Sequence, residues 1–131
     1  MKLCHVALWT RQPEVLRDFY TRWLGGKAGE RYSNPAKNYE SWMVTFNNGV
    51  ALEIMNRPDI PDNLNDRIHK QHQGLIHLAF ELPHRMQVDL LCDEMVGAGL
   101  PLLDGPRVTG DGYYEFCTAD PDGNRVEITS S

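Results

Sequence analysis

The length, composition and charge of the chain exclude several classes of protein. It has 131 residues, of which 41% are hydrophobic and 24% are charged, which suits one soluble globular domain with a sizeable buried core. The formal net charge of −5 argues against nucleic acid or an anionic membrane surface as partner, because both attract basic patches. No apolar run approaches the roughly 20 residues that span a bilayer. Neither nucleic acid nor a membrane is therefore the expected partner.

The cysteines indicate a compartment. Cys4, Cys92 and Cys117 are odd in number and widely spaced, and no Cys-x-x-Cys motif occurs. Neither a disulfide framework nor a cysteine-based zinc site is expected from this pattern, and a reducing cytoplasm is the predicted location.

The first part of the chain predicts a strand, a helix and three further strands. Residues 3–9 are apolar and β-prone, and Pro13 marks a helix start. Apolar residues then recur at helical spacing until Gly25 and Gly26 end the helix. Residues 27–32 predict a short strand. Two more strands are predicted by the alternating residues 42–46 and, after the Asn47-Asn48-Gly49 turn, by residues 50–55.

The second part repeats this order. Residues 75–82 predict a strand, and an apolar face over residues 86–96 predicts a helix. Three strands should follow, at residues 102–103, 113–118 and 125–129. The chain is thus predicted to be a single domain (residues 1–131), with module one at 1–56, a linker at 57–73 and module two at 74–131. The polar linker is predicted to carry one helical turn around residues 65–69.

Fixed offsets between the two parts indicate an internal repeat. Glu53 and Glu127 are 74 positions apart, and His5 and His77 are 72 apart. Such self-similarity is the signature of a duplicated structural unit. The predicted fold class is α+β, with two tandem βαβββ modules forming a curved mixed sheet around a metal-binding cleft.

The repeat also supplies a set of metal ligands. Each copy has a histidine on its first strand and a glutamate on its last, within apolar stretches where an unpaired carboxylate is costly. A histidine on a strand can instead be a hydrogen-bonded core residue, but the matched set of four favours a metal. His5, Glu53, His77 and Glu127 are therefore predicted to bind one divalent transition metal. Zn²⁺ and Ni²⁺ come first, with Co²⁺, Mn²⁺ or Fe²⁺ as alternatives.

These residues carry a family resemblance that covers nearly the whole chain. The chain resembles the vicinal oxygen chelate superfamily, which includes glyoxalase I, bleomycin-resistance proteins, fosfomycin-resistance enzymes, methylmalonyl-CoA epimerase and extradiol dioxygenases. The His, Glu, His, Glu order is similar to that of bacterial glyoxalase I. The matching positions are His5, Phe19-Tyr20, Leu24-Gly25, Glu53, residues 74–80 around His77, residues 120–124 and Glu127.

The resemblance implies an activity and an assembly. It points to a metal-dependent lyase or isomerase of glyoxalase I type, similar to lactoylglutathione lyase, which acts on a small substrate with vicinal oxygens through an enediolate. Glu127 would be the primary base and Glu53 its counterpart on the opposite face of the substrate. It also implies a homodimer in which modules pair across subunits. An Fe²⁺ extradiol-type dioxygenase and a bleomycin-resistance-like binding protein remain alternatives, because a fold does not settle a function.

The chain departs from the glyoxalase I pattern near the expected thiol site. Trp9 stands where glyoxalase I usually has an arginine four residues after its first histidine, and Arg57 stands where an asparagine usually follows the first glutamate. These departures predict poor use of glutathione.

Three residues are predicted to bind the substrate instead. Trp9 shares a strand face with His5 and, together with Tyr113, favours an apolar or aromatic substrate. Arg107 is the predicted counter-ion for an acidic group. The segment around Arg107 and Tyr113 is equally consistent with a β-turn that leads into a strand.

Overall fold

The computed structural model describes residues 1–64 and 68–131. The chain divides into two compact units, Met1–Asp62 and Asn63–Ser131, whose boundary falls within the predicted linker. The helical turn predicted around residues 65–69 lies in part on residues 65–67, outside the described residues. No helix in the described part of the chain is long and apolar enough to cross a membrane.

The first unit is a mixed sheet with one helix. Its strands follow the order β1-β5-β4-β2, with β3 also paired to β4. The β1–β5 pairing is parallel and the β4–β5 pairing is antiparallel. The elements are β1 (His5–Trp9), α1 (Pro13–Arg22), β2 (Lys27–Ala28), β3 (Tyr32–Asn34), a 3₁₀ turn (Pro35–Lys37), β4 (Tyr39–Thr45) and β5 (Ala51–Asn56).

The helix covers one face of this sheet and leaves the other for the site. Pro13 opens α1, where its missing N–H and fixed φ cost nothing. Leu16 and Tyr20 of α1 are completely buried, as is Ile54 of β5, and α1 packs on β4 and β5. Because side chains alternate along a strand, the residues next to Ile54 in sequence point to the opposite face. That face carries Glu53.

The second unit repeats the architecture. Its strand order is β6-β9-β8-β7, with β6–β9 parallel and β8–β9 antiparallel. Helix α2 packs on β8 and β9 through its buried residues Val88, Cys92 and Met95. The elements are β6 (His77–Glu81), α2 (Arg85–Gly97), β7 (Asp104–Val108), β8 (Tyr114–Ala119) and β9 (Arg125–Ser130).

The predicted α+β class and the repeated βαβββ order are confirmed, although most strand boundaries differ by one to three residues and two predicted strands differ more. The strand predicted at residues 27–32 is split into β2 and β3, because β4 is long enough to pair with two short segments. The strand predicted at residues 102–103 begins instead at Asp104. The preceding Leu103 N–H still donates to the Cys117 carbonyl at 2.8 Å, so the pairing with β8 starts one residue before the strand itself.

Candidate metal centre

The first histidine–glutamate pair lies on two adjacent parallel strands. In the β1–β5 register His5 pairs with Ala51 and Ala7 pairs with Glu53, so His5 and Glu53 are diagonal neighbours on one face. His5 Nε2 lies 3.6 Å from Glu53 Oε2, and the two side chains are 43% and 23% exposed. The strand order therefore creates this pair from residues 48 positions apart.

The second unit builds the same pair. His77 pairs with Arg125 and Ala79 pairs with Glu127, which places His77 and Glu127 in the same diagonal relation. The distance from His77 Nε2 to Glu127 Oε2 is 3.8 Å, with side chains 43% and 20% exposed. The two repeats therefore place their imidazole nitrogen and carboxylate oxygen in the same relative arrangement.

Each pair fits half of a metal site. A transition-metal ion about 2.0–2.2 Å from an imidazole nitrogen and a carboxylate oxygen can bridge donors separated in this way. Among residues 1–64 and 68–131, no group of three or more His, Cys, Asp or Glu side chains is gathered where it could hold a metal. Each module therefore offers a two-ligand half-site.

The exposure of the pairs corrects one step of the sequence argument. The sequence predicts that His5 and Glu53 are buried among apolar neighbours. Both side chains are instead partly open to solvent, because the helix of the unit covers the opposite sheet face. The cost of an unpaired carboxylate is then smaller than assumed. The case for a metal rests on the donor types and their distances.

Tyr39 holds the first glutamate in place. Its phenol donates a hydrogen bond to Glu53 Oε1 at 2.8 Å. Burial raises the pKa of Tyr39, and the negative charge of Glu53 raises it further, so the phenol keeps its proton at neutral pH. Sequence reasoning treated Tyr39 as a core aromatic, although its offset of 74 from Tyr113 marked it as part of the repeat.

Glu115 gives the second glutamate a different neighbour. In the β8–β9 register Cys117 pairs with Glu127 and Glu115 pairs with Thr129, so Glu115 and Glu127 share a face. Burial raises the pKa of Glu115, the charge of Glu127 adds to this effect, and Arg107 opposes it. Sequence reasoning missed Glu115, because the equivalent position in module one is Ser41 and the repeat carries no carboxylate there.

The predicted substrate residues fall in both units. Trp9 lies on the exposed face of β1 with His5, and its ring meets Tyr39 edge-on with 6.0 Å between centroids. Tyr113 is exposed and precedes β8, where its carbonyl accepts a hydrogen bond from the Thr109 N–H at 2.7 Å. The structure thus brings Trp9 to the first pair and leaves Tyr113 in a turn.

Arg107 is already engaged by carboxylates. Its Nε and one terminal nitrogen lie 2.8 and 2.6 Å from Asp104 Oδ2, and that nitrogen lies 3.8 Å from Glu115 Oε1. The hydrogen bond from Arg107 lowers the pKa of Asp104. A substrate anion at Arg107 would have to compete with these groups.

Comparisons with known proteins agree on one family. The model of the Glyoxalase/Bleomycin resistance protein/Dioxygenase superfamily matches residues 2–128. The uncharacterized protein YqjT of Bacillus subtilis (strain 168) is 33% identical to this chain in an alignment that covers 96% of each chain.

Solved structures show the same fold. A glyoxylase/bleomycin resistance protein/dioxygenase domain from Frankia sp. EAN1pec has a TM-score of 0.80 at 17% identity and covers 100% of this chain and 98% of that one. The trypanothione-dependent glyoxalase I of Leishmania major has a TM-score of 0.77 at 18% identity, with 99% and 86% covered. Because the family model matches residues 2–128, which is nearly the whole chain, the chain belongs to the glyoxalase, bleomycin resistance protein and dioxygenase superfamily.

Proposed function

We propose that the protein is a metal-dependent lyase or isomerase of glyoxalase I type, acting on a small substrate with two vicinal oxygens. The observation that carries this proposal is the pair of His–Glu half-sites, with donors 3.6 and 3.8 Å apart at equivalent positions of the two modules. Members of the superfamily commonly bind a divalent metal ion. The chemistry of these donors, one imidazole and one carboxylate in each module, suits such an ion.

His5, Glu53, His77 and Glu127 would together hold the metal, with Zn²⁺ or Ni²⁺ as the first candidates. A bound divalent cation would supply Lewis-acid stabilisation for negative charge that develops on the two vicinal oxygens of the substrate. The exposed sheet faces that carry the pairs leave room for that substrate.

Glu127 is the proposed base. It would take a proton from the carbon next to the carbonyl and return it to the neighbouring carbon. Glu53 is less free to move, because Tyr39 holds its carboxylate with a 2.8 Å hydrogen bond. Glu127 instead shares a sheet face with Glu115, a second carboxylate. The two glutamates would thus act on opposite faces of the substrate with unequal roles.

We further propose that the two half-sites combine in a homodimer. The first pair of one protomer would meet the second pair of its partner, giving two equivalent sites related by a twofold axis. Such an assembly completes a four-ligand set from two two-ligand modules.

The test is an activity screen on protein stripped of metal and reloaded with each candidate ion. Metal-restored turnover of methylglyoxal with a panel of thiols is the expected result. Glu127→Gln should lower this turnover by about a hundredfold or more. The matched control is Glu94→Gln, which alters an exposed glutamate on α2, the helix that packs on β8 and β9, and should leave turnover unchanged.

Two outcomes would contradict the proposal in favour of its alternatives. Dioxygen consumption with a catechol, and none of the thiol-dependent reaction, would indicate an extradiol-type dioxygenase. Tight ligand binding that needs no metal and leads to no turnover would indicate a binding protein of the bleomycin-resistance kind.

A further inference from the structure

The first unit has a surface pocket whose lining residues have no role in the reaction described above. Its volume is about 360 Å³, and it is lined by Ala36, Lys37, Asn38, Arg57, Pro58 and Asp59. Two segments build it: the 3₁₀ turn before β4, and the residues that follow β5. Asn38, in a left-handed conformation with φ of 48°, turns the chain from this 3₁₀ turn into β4.

The lining of this Lys37–Arg57 pocket is positively charged. It contains two cations and one carboxylate, in a chain whose net charge is −5. Asp59 Oδ1 accepts a hydrogen bond from Arg57 Nε at 2.6 Å, which leaves the two terminal nitrogens of the guanidinium as donors. Lys37 is exposed and forms no ion pair within the described part of the chain. A local excess of hydrogen-bond donors and positive charge favours an anion.

A continuous set of contacts connects the pocket to the first donor pair. The Arg57 guanidinium lies over the Trp9 ring, 5.4 Å from its centroid. Trp9 meets Tyr39 edge-on, and the Tyr39 phenol donates to Glu53. The pocket and the His5–Glu53 pair are therefore separated by an aromatic wall of two rings.

We propose that the Lys37–Arg57 pocket binds the anionic end of the substrate, a carboxylate or a phosphate, while a planar apolar part of the substrate lies against Trp9 and Tyr39. The inference deepens the proposed function and rests on it for the identity of the ligand as substrate. It places the counter-ion in the first unit, whereas the sequence pointed to Arg107. Lys37 is the better counter-ion because its positive charge has no ion-pair partner among the described residues. The charge of Arg107 is already balanced by Asp104, which it contacts through two nitrogens, and by the nearby Glu115.

The experiment measures binding to metal-free protein, so that it does not depend on turnover. The probes are benzoate, phenyl phosphate and the neutral benzamide, followed by isothermal titration and by tryptophan fluorescence. At least one anion should bind about tenfold or more tightly than benzamide, since a charged hydrogen bond contributes at least that factor. The tighter of the two anions identifies a carboxylate or a phosphate as the preferred group.

Variants assign the binding to the pocket. The double variant Lys37→Gln with Arg57→Gln should lose the preference for the anion. Lys37→Gln alone, at an exposed position that does not touch Trp9, should weaken anion binding without affecting folding. The control Lys27→Gln removes an exposed lysine on β2 and should bind the anions as the parent does. Trp9→Phe should abolish the fluorescence change.

Two results would overturn the inference: equal affinity for benzamide and both anions, or a folded double variant that binds the anions as tightly as the parent. Failure of the proposed function is recognised separately, by the absence of metal binding in the parent. Anion binding at Lys37 and Arg57 would survive that failure, because the probes are titrated into protein that holds no metal.

Discussion

At the scale of single residues, Tyr39 and Glu115 make the two carboxylates of the candidate site unequal. Glu53 accepts a phenolic hydrogen bond at 2.8 Å, whereas Glu127 lies against a second carboxylate. Loss of a partner that orients a metal ligand typically weakens metal affinity by about 10–100-fold. The difference supports a fixed role for Glu53 and is consistent with Glu127 as the proposed base.

Removing the Tyr39 hydroxyl should therefore loosen the metal without unfolding the protein. Tyr39→Phe is expected to weaken Zn²⁺ binding by about tenfold or more, because Glu53 loses the donor that fixes its orientation. Competition with a chelating dye measures this affinity. The control is Tyr32→Phe, which alters an exposed tyrosine whose ring contacts Tyr39. Equal loss in both variants would show that the hydrogen bond from Tyr39 to Glu53 is not responsible.

Position 9 should limit the use of glutathione. At this position an indole donor does not replace the forked, charged hydrogen bonds that an arginine makes to a carboxylate. One of the two amide hydrogens of Asn56 is already donated to the Thr10 carbonyl at 2.7 Å, which limits this side chain as a replacement donor.

We expect turnover of the glutathione hemithioacetal of methylglyoxal to be lower by about a hundredfold in kcat/KM than with a thiol that the protein prefers. Steady-state rates with several thiols provide the comparison. If glutathione proves as efficient as any other thiol, other residues bind it and the weight given to Trp9 is misplaced.

At the scale of elements, the packing of α1 on the sheet depends on a glycine. A Cβ at Gly26 would collide with the side chain of Val44 and approach the Tyr20 carbonyl, and Val44 is fully buried. Only a residue without a side chain lets the segment between α1 and β2 pass so close to β4.

Gly26→Ala should lower the free energy of unfolding by about 1–3 kcal/mol, the usual cost of overpacking a core. Urea denaturation provides the measurement. Gly97→Ala in the last turn of α2 is the matched control, because its added Cβ meets nothing within 4 Å, and it should leave stability unchanged or slightly raised. A Gly26→Ala variant as stable as the parent would mean that α1 can shift on the sheet at little cost.

Much of this element pattern could be predicted, for identifiable reasons. The runs that became β1 and β6 are short and apolar with a histidine at a fixed place, and the buried residues of α1 recur at helical spacing. The repeat then supplied the pairing of each histidine with its glutamate. The sequence did not separate β3 from β2, because Tyr32–Asn34 is mostly exposed and has no apolar alternation that would indicate a strand of its own.

The parts of the site that escaped prediction are those formed by register or by turns. Glu115 reaches Glu127 only because β8 and β9 pair in a register that no sequence pattern specifies. The Lys37–Arg57 pocket joins a 3₁₀ turn to the end of β5, residues about 20 positions apart that the repeat does not relate. Arg107 looked available in the sequence because its pairing with Asp104 depends on the local geometry of β7.

At the scale of the whole molecule, the two half-sites call for an assembly that unites them. We expect a homodimer in solution whose metal binding depends on dimerisation. Light scattering combined with metal analysis across a dilution series gives the measurement, and metal should be lost as the dimer dissociates. A monomer at micromolar concentration that still holds its metal would contradict the shared site while leaving the four ligands themselves in place.

The most direct test of the central claim is the metal content of purified protein after loading and gel filtration. The account predicts about one divalent transition metal per chain in the parent, bound by one imidazole and one carboxylate from each module. His77→Ala should hold almost none, because it removes a nitrogen donor and leaves the carboxylates to repel one another. His84→Ala, which alters an exposed histidine at the start of α2 with no side-chain capping hydrogen bond, should hold as much as the parent. A parent that retains no metal, or a His77→Ala variant that retains as much as the parent, would contradict the account.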